Sequence, residues 1–549
     1  MIHATITRVL AALTLASTAL AQPADLVIEH ARIWSDGLGG FAQFAAVRDG
    51  RFVHVGDPDP GLIGPHTKRI DAGGRVVIPG LIDSHAHMLS GGLGLSQIAL
   101  RDVRGRDEFV RRIADWAEQL PPGGWILGGR WSVESWSRPE QPTRKWIDPV
   151  TGDHPAFLPR MDGHSALVNS RALAIAGITA DAPPDPEGGV IDRDPGTGKP
   201  TGILRESAMG LIARHIPDPT IDDKVRALQR AIRHAQQFGV TSVCDIPDLS
   251  DLPAYERLGR EEPGLRFFLY PTAGDWSRAA DVVRRFHGRP GWVQVRGLKA
   301  YLDGSLGSRT AYMREPFLGN SPDKVGWRGL LREGVEDGRF ARNIAAAQRA
   351  GLQSIAHAIG DEANHILLDT LERIYPDLRR ARCRSEHAQH LLPGDIRRFG
   401  DLGVIASMQP LHKADDGRYA ESFIGPERAR SSYAYKSLLD AGAVVCFGSD
   451  WPVVSNNPFP GIEAAVTGRT LDGAVWQPQQ NITVGEALRC YTSRAAYACF
   501  AEHEIGRIAP GYRADFVVLD RSPFGADVDW SAIKPAAVYV QGRQVQGPK

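Results

Sequence analysis

The chain has 549 residues, too many for one small domain and enough for a large core. Its 64 Lys and Arg balance 64 Asp and Glu with no polybasic block, which argues against nucleic acid or an anionic membrane surface as a partner. Twelve Trp and 38 Pro fit an ordered, loop-rich globular enzyme and argue against a disordered chain.

Residues 1–21 read as a secretory signal. Arg8 is a thin positive region, Val9–Ala16 a short apolar core, and Ala19–Ala21 a small-x-small site before Gln22. The apolar run is shorter than the roughly 20 residues that span a bilayer. The expectation is export, most simply to a bacterial periplasm, with no membrane span. Residues 22–79 follow as short antiparallel strands: Asp25–Trp34 is apolar and β-rich, and Phe44–Arg48 and Arg51–Val55 flank an Asp49-Gly50 turn. The far end answers with Ala514–Asp520 and Ala537–Gly542. One small β-sandwich domain built from 22–79 and 501–549 is therefore expected around a different middle, 80–500.

That middle opens on Pro79-Gly-Leu-Ile-Asp-Ser-His-Ala-His87. In an extended strand, residues two apart point to one face, so His85 and His87 can reach one ion, with Asp83 on the same face. The segment of about 101–234 is too long for one crossover and is expected to be an insertion. It holds a helix over Asp107–Leu120 and a hairpin of Gly189–Asp192 with Thr201–Arg205. Trp125, Trp131, Trp136 and Trp146 cluster there, most as core and a few as pocket lining, with Trp131 taken as a substrate contact.

Strands and helices then alternate, as in a parallel α/β fold. The eight expected strands are Leu81–His87, Val240–Ile246, Leu265–Pro271, Val295–Asp303, Leu352–His357, Cys383–Ala388, Val404–Gln409 and Ala443–Asp450. Asp222–Phe238 and Gly334–Ala350 carry apolar residues at helical spacing. The pattern predicts an α/β (β/α)8 TIM barrel with a large insertion after its first strand. Five scattered cysteines without a CxxC do not read as a disulfide framework.

In such barrels the active site lies at the C-terminal ends of the strands. Those ends supply His85, His87, Lys299, His357, His387 and Asp450. Imidazoles with a carboxylate suit zinc or another divalent metal, one ion or two. Lys299 fits such a set only if carboxylated to an anionic carbamate; otherwise it pairs with Asp303 or a substrate carboxylate.

These residues resemble the amidohydrolase superfamily, in the branch containing N-substituted formamide deformylases. The likeness covers nearly the whole chain after residue 21. It runs from the His85–His87 motif through Asp162-Gly-His-Ser165, Asn169–Leu173, Asp303–Ser305, Arg309–Ala311 and His357–Asp361. It continues in Glu386–Ala388, Gly448–Pro452 and Gly506–Phe516. The resemblance implies that His85, His87, Lys299, His357, His387 and Asp450 occupy the metal-site positions.

The expected chemistry is hydrolysis of a C–N amide bond, N-acyl or N-formyl, by a metal-activated hydroxide. The alternative is a phosphotriester, phosphoester or other ester hydrolase on the same site; a binding protein without turnover fits the intact residue set less well. Asp450 is the expected general base as well as a ligand. His164 either bonds the carbonyl or oxyanion, or is structural. Arg309 either binds an anionic substrate group or pairs with Asp303, and Trp451 is a further substrate contact. The expected partner is a small molecule, with homo-oligomerisation open.

Overall fold

A computed structural model describes residues 22–548, apart from 134–135, 137, 161–164, 182, 187–188, 275, 285, 287–290, 320–325 and 333. The expected leader over 1–21 lies outside the described residues, as does His164.

The fold is α/β, and its functional part is two all-parallel sheets. One pairs Leu81–Ala86, Val240–Asp245, Arg266–Leu269 and Val293–Val295 in that order. The other pairs Gly297–Tyr301, Gln353–Ala358, Arg384–His387, Ile405–Met408 and Val445–Phe447. Every residue of Val240–Asp245 and Ile405–Met408 is buried. That is what helices on the outside and side chains on the inside demand of a parallel strand. Ile221–Gln236 is one such helix. A Thr220–Asp223 capping box starts it, and it buries Val225, Leu228, Ala231, Ile232 and Ala235 at helical spacing.

All eight expected strands are present as strands with shifted ends. The fourth differs most: the expected run Val295–Asp303 is two strands that part at Arg296. Gly297 sits so close to the next strand that a Cβ there would lie 1.9 Å from the Gln353 carbonyl oxygen. The two sheets meet at both edges. Thr272 bridges Lys299 in parallel at one seam, and Ala86 bridges Trp451 in parallel at the other. Arg296 spans the break, its N–H donating to the Leu269 carbonyl at 2.9 Å while its own carbonyl accepts from Gln353 N–H at 3.2 Å.

Three mixed sheets surround these. Ile98–Ala99, Ile126–Gly129, Ala156–Pro159, Ser165–Val168, Pro200–Glu206 and Gly189–Arg193 form a six-stranded sheet between the first and second parallel strands. Its Gly189–Arg193 and Pro200–Glu206 pair as an antiparallel hairpin. Leu26–Glu29, Phe44–Arg48, Arg51–Gly56 and Lys68–Asp71 form a four-stranded sheet. The last draws on both ends of the chain: Arg32–Ile33, Val76–Pro79, Phe516–Leu519, Pro535–Val540 and Arg543–Gln546. All five cysteines are free and buried. Among the described residues no helix is long and apolar enough to cross a membrane.

Candidate metal centre

The ends of the first, fifth, sixth and eighth parallel strands bring four histidines and a carboxylate together. The His85 ring lies 5.6 Å from that of His87 and 4.9 Å from that of His387, and His387 lies 4.4 Å from His357. Asp450 reaches His87 Nε2 at 3.1 Å and His85 Nε2 at 3.4 Å. The eighth strand must come very close to do this. A Cβ on Gly448 would lie 2.5 Å from the His85 backbone nitrogen, so only glycine fits. Asp450 N–H then donates to the His85 carbonyl at 2.7 Å and His87 N–H to the Trp451 carbonyl at 2.8 Å. His387 and Asp450 both hold positive φ, 78° and 58°, a conformation costly for residues with a Cβ and concentrated at functional sites.

Each of these four imidazoles has one nitrogen committed to a fixed oxygen. His85 Nδ1–H donates to Glu386, and His87 Nδ1–H to the Ile246 carbonyl at 3.4 Å. His387 Nδ1–H donates to Gln409 Oε1 at 2.7 Å, and His357 Nε2–H to the Gly304 carbonyl at 3.0 Å. The other nitrogen of each ring keeps its lone pair, the tautomer that metal-ligating histidines adopt. Burial pushes the His387 imidazole well below its usual pKa, assisted by the charges of His357, His85 and Lys299. Burial, with the Lys299 charge, pushes His357 down to about 3. Burial opposes charge on Asp450 too, but its imidazole neighbours outweigh that and hold the carboxyl well below the usual range.

One Asp450 oxygen therefore faces two imidazole lone pairs. His85 Nε2 is fully buried with no hydrogen-bond partner among the described residues. Three acceptors at this spacing repel one another unless a cation lies between them. Ligands each about 2.1 Å from a common ion sit roughly 3.0–3.5 Å apart, the separations found here. The donor set fits a divalent metal, and His85, His87 and Asp450 form one group compact enough to hold it.

Behind His85 lies a buried ion pair. Arg384, with no exposed surface, donates to Glu386 at 2.6 and 3.0 Å, to the Ser84 carbonyl at 2.6 Å and to Ser407 Oγ at 2.9 Å. Burial would raise the Glu386 carboxyl, but Arg384 and then His85 hold it far below the carboxylate range. Asp83, placed by the strand period beside the histidines, serves instead as a tether. It accepts from Ser449 N–H at 2.9 Å and Ser449 O–H at 2.5 Å. Burial raises it to about 6.

On the opposite side Lys299 is buried, its Nζ 4.8 Å from the Tyr301 ring centre. Asp303 accepts backbone N–H bonds from Ile359, Gly360 and Tyr312 at 2.8–3.0 Å. Burial raises it to about 7 against those bonds. Arg309 lies over Phe423 at 4.3 Å and makes no ion pair with Asp303. Trp131, expected at the substrate, is fully buried in the core of the six-stranded sheet, its indole N–H donating to the Leu158 carbonyl at 2.8 Å. The reason is local: it packs edge-on to Phe109 within an apolar cluster that also takes in Trp136 and Trp146. Trp451 stacks on His234 at 5.3 Å and lines a cavity of about 910 Å³ with Leu95, Ile98, Phe157 and Ile216. A smaller cavity of about 260 Å³ is lined by His87, Thr272, Asp248 and Tyr301.

The strand-end reading missed two participants, Glu386 and His412. His412 comes from the short helix Pro410–Asp416 after the seventh strand, its ring parallel to His387 within 8° at 6.3 Å. With His387 and Asp450 it forms a second compact group. The signal for Glu386 was present in the sequence: Arg384 and Glu386 are charges two apart in a strand with no polar face.

Comparisons with known proteins follow the same line. Residues 68–546 match the amidohydrolase family. The chain is 38% identical to Protein LONG AFTER FAR-RED 3 of Arabidopsis thaliana, covering 95% of this chain and 91% of that one. It is 30% identical to the putative amidohydrolase YtcJ of Bacillus subtilis, covering 84% and 87%. It is 27% identical to N-substituted formamide deformylase of Arthrobacter pascens, covering 95% and 98%. Among solved structures, an uncharacterized metal-dependent hydrolase from Pyrococcus furiosus superposes with a TM-score of 0.74 at 27% identity, covering 91% of this chain and all of that one.

Proposed function

Since the chain belongs to the amidohydrolase family, we propose that it hydrolyses the C–N bond of an N-acyl or N-formyl amide at a divalent metal held by His85, His87, His357, His387 and Asp450. Lys299 joins that set as a carbamate where two ions bind. The carrying observation is the Asp450 oxygen set against two imidazole lone pairs at 3.1 and 3.4 Å. A bound divalent ion supplies a Lewis acid for the carbonyl and brings the pKa of water down from about 16 to near 7.

The chain's own residues supply the rest. Asp450, an ionised carboxylate at the end of the last strand, accepts the proton of the attacking water and returns it to the leaving nitrogen. General base catalysis of this kind contributes about 10²–10⁴-fold. Glu386 and Gln409 hold His85 and His387 in the tautomer that leaves Nε2 bare. The 260 Å³ cavity beside His87 and Tyr301 suits a small acyl group, and the larger cavity beside Trp451, lined by apolar side chains and by Arg101, Arg130 and Arg160, suits the amine portion. We read the two parallel sheets as one ring of eight strands, with Val293–Val295 and Gly297–Tyr301 as the two halves of the fourth, supported by the bridges at both seams.

The test is metal analysis of the purified protein with a panel of N-formyl, N-acyl, carbamate and phosphoester substrates. Amide turnover that a chelator abolishes and added divalent metal restores is the expected result. Turnover confined to phosphoesters, or active protein without metal, would overturn the reading.

A further inference from the structure

Resting on that reading, we propose that His412 is a hydrogen-bond donor to the carbonyl oxygen of the bound amide, and not a ligand of the metal. Its position admits both roles. One ring nitrogen lies within 4.8 Å of a ligand atom of His387 and of Asp450, close enough for a shared ion.

The difference lies in what each ring faces on its far side. His85, His87, His357 and His387 all face oxygens: a carboxylate, two backbone carbonyls and an amide oxygen. Each must donate its N–H outward, which leaves a lone pair for the centre. His412 faces an amide nitrogen, with Gln389 Nε2 lying 3.4 Å from His412 Nδ1. An amide nitrogen only donates. The nitrogen opposite it must accept, so His412 Nδ1 carries the lone pair and Nε2 carries the hydrogen. A protonated ring nitrogen cannot bind a cation.

The Nε2–H that remains is buried and has no partner among the described residues. Leaving a buried donor unpaired costs about 1–3 kcal/mol, a cost that an arriving acceptor removes. The acceptor that reaches this place during hydrolysis is the amide oxygen, whose negative charge grows as the water adds. A donor placed to meet that growing charge is worth most in the transition state. The charged side chains beside it are bonded to other partners. Asp416, four residues on, has its carboxylate taken by the hydroxyls of Tyr419 and Tyr433, both at 2.6 Å. Lys413 turns away, toward the Gln477 carbonyl and Asn481.

The experiment uses full-length His412→Ala and His412→Gln. Metal per chain is measured, then the d–d absorption of the cobalt(II)-substituted proteins, then kcat and KM on the substrate that the wild-type protein turns over best. We expect metal content and cobalt spectrum to match wild type in both variants. We expect kcat of His412→Ala to fall about 10²–10³-fold with KM changed far less. His412→Gln, which places an amide N–H at similar reach, should recover part of the loss. Reduced metal content or an altered cobalt spectrum in His412→Ala would make His412 a ligand and overturn the proposal. Unchanged kcat, or equal impairment of the Ala and Gln variants, would overturn it as well. A wild-type protein that hydrolyses esters and no amide would defeat the reading of the reaction, while the cobalt spectra and the kcat comparison would still decide the role of His412.

Discussion

The two sides of the metal centre manage buried charge in opposite ways. On the side of the first, sixth and eighth strands, charge is paired: Arg384 meets Glu386, whose carboxylate takes the His85 Nδ1–H, and the bare His85 Nε2 faces Asp450. Arg384 and His85 both meet Glu386 at hydrogen-bond range, and Glu386 stays ionised despite complete burial. On the side of the fourth and fifth strands, dipoles replace charges. Asp303 is met by three backbone N–H groups and His357 by a backbone carbonyl, and burial wins, at about 7 for the acid and about 3 for the base. The paired side can carry charge through a reaction cycle. The dipolar side favours neutral groups, and Lys299 lies there. A carbamate at Lys299 would be the group that changes this side from cationic to anionic once metal is bound.

The largest effect should come from the charged side. Asp450→Asn keeps the shape and removes the proton acceptor, so kcat should fall by about 10³-fold while substrate affinity survives. Steady-state kinetics with metal analysis checks this, and near-normal turnover would show that another group takes the proton.

The next effect tests the dipolar side. Lys299→Ala should lower metal content and activity together, by about 10–100-fold in metal affinity if its contribution matches that of other supporting groups. Short carboxylic acids added to the variant should restore part of both. Full metal content with full activity would leave Lys299 without a bridging role.

A smaller effect falls on stability. Glu386→Gln leaves the Arg384 guanidinium buried without its counter-charge, a loss of about 3–5 kcal/mol measurable by urea unfolding. The double variant Arg384→Met with Glu386→Gln should lose less than the single one, because no unpaired charge remains. Equal losses would mean that the pair contributes packing alone.

The smallest effect sharpens the contrast between paired and unpaired buried cations. Lys413 is buried with no carboxylate at ion-pair distance among the described residues, and burial lowers its pKa to about 8. Below pH 8 both folded and unfolded chains carry the charge, and folding bears the full cost of burying it. Between about pH 8 and 10.5 the folded chain releases the proton before the unfolded one, so stability rises with pH across that window. Lys413→Met should abolish that rise. Parallel stability curves for the two proteins from pH 8 to 10 would contradict it.

Much of this site was legible because strand chemistry is periodic. His85 and His87 sit two apart in an apolar run, and the other ligand candidates end apolar runs of strand length. Three things were not legible. His412 follows a proline one helical turn past its strand, where no strand period reaches it. Trp131 carries the same apolar ring whether it lines a pocket or fills a core, and only packing against Phe109 decides. Asp83 obeys the period and still turns to Ser449, because the eighth strand, 366 residues later, brings it a better partner. The break at Arg296 was also hidden, since apolar alternation continues through it.

The first histidine strand leaves the terminal sheet with one residue between them. Val76–Pro79 pairs with Phe516–Leu519, and Gly80 N–H donates to the Asp515 carbonyl at 2.9 Å before Leu81 begins the strand that carries His85. The strand that carries the earliest ligand candidates is thus clamped by a partner more than 400 residues later in the chain. The placement of His85 and His87 in the folded protein is thereby tied to the integrity of the C-terminal segment, far from the candidate metal centre in sequence.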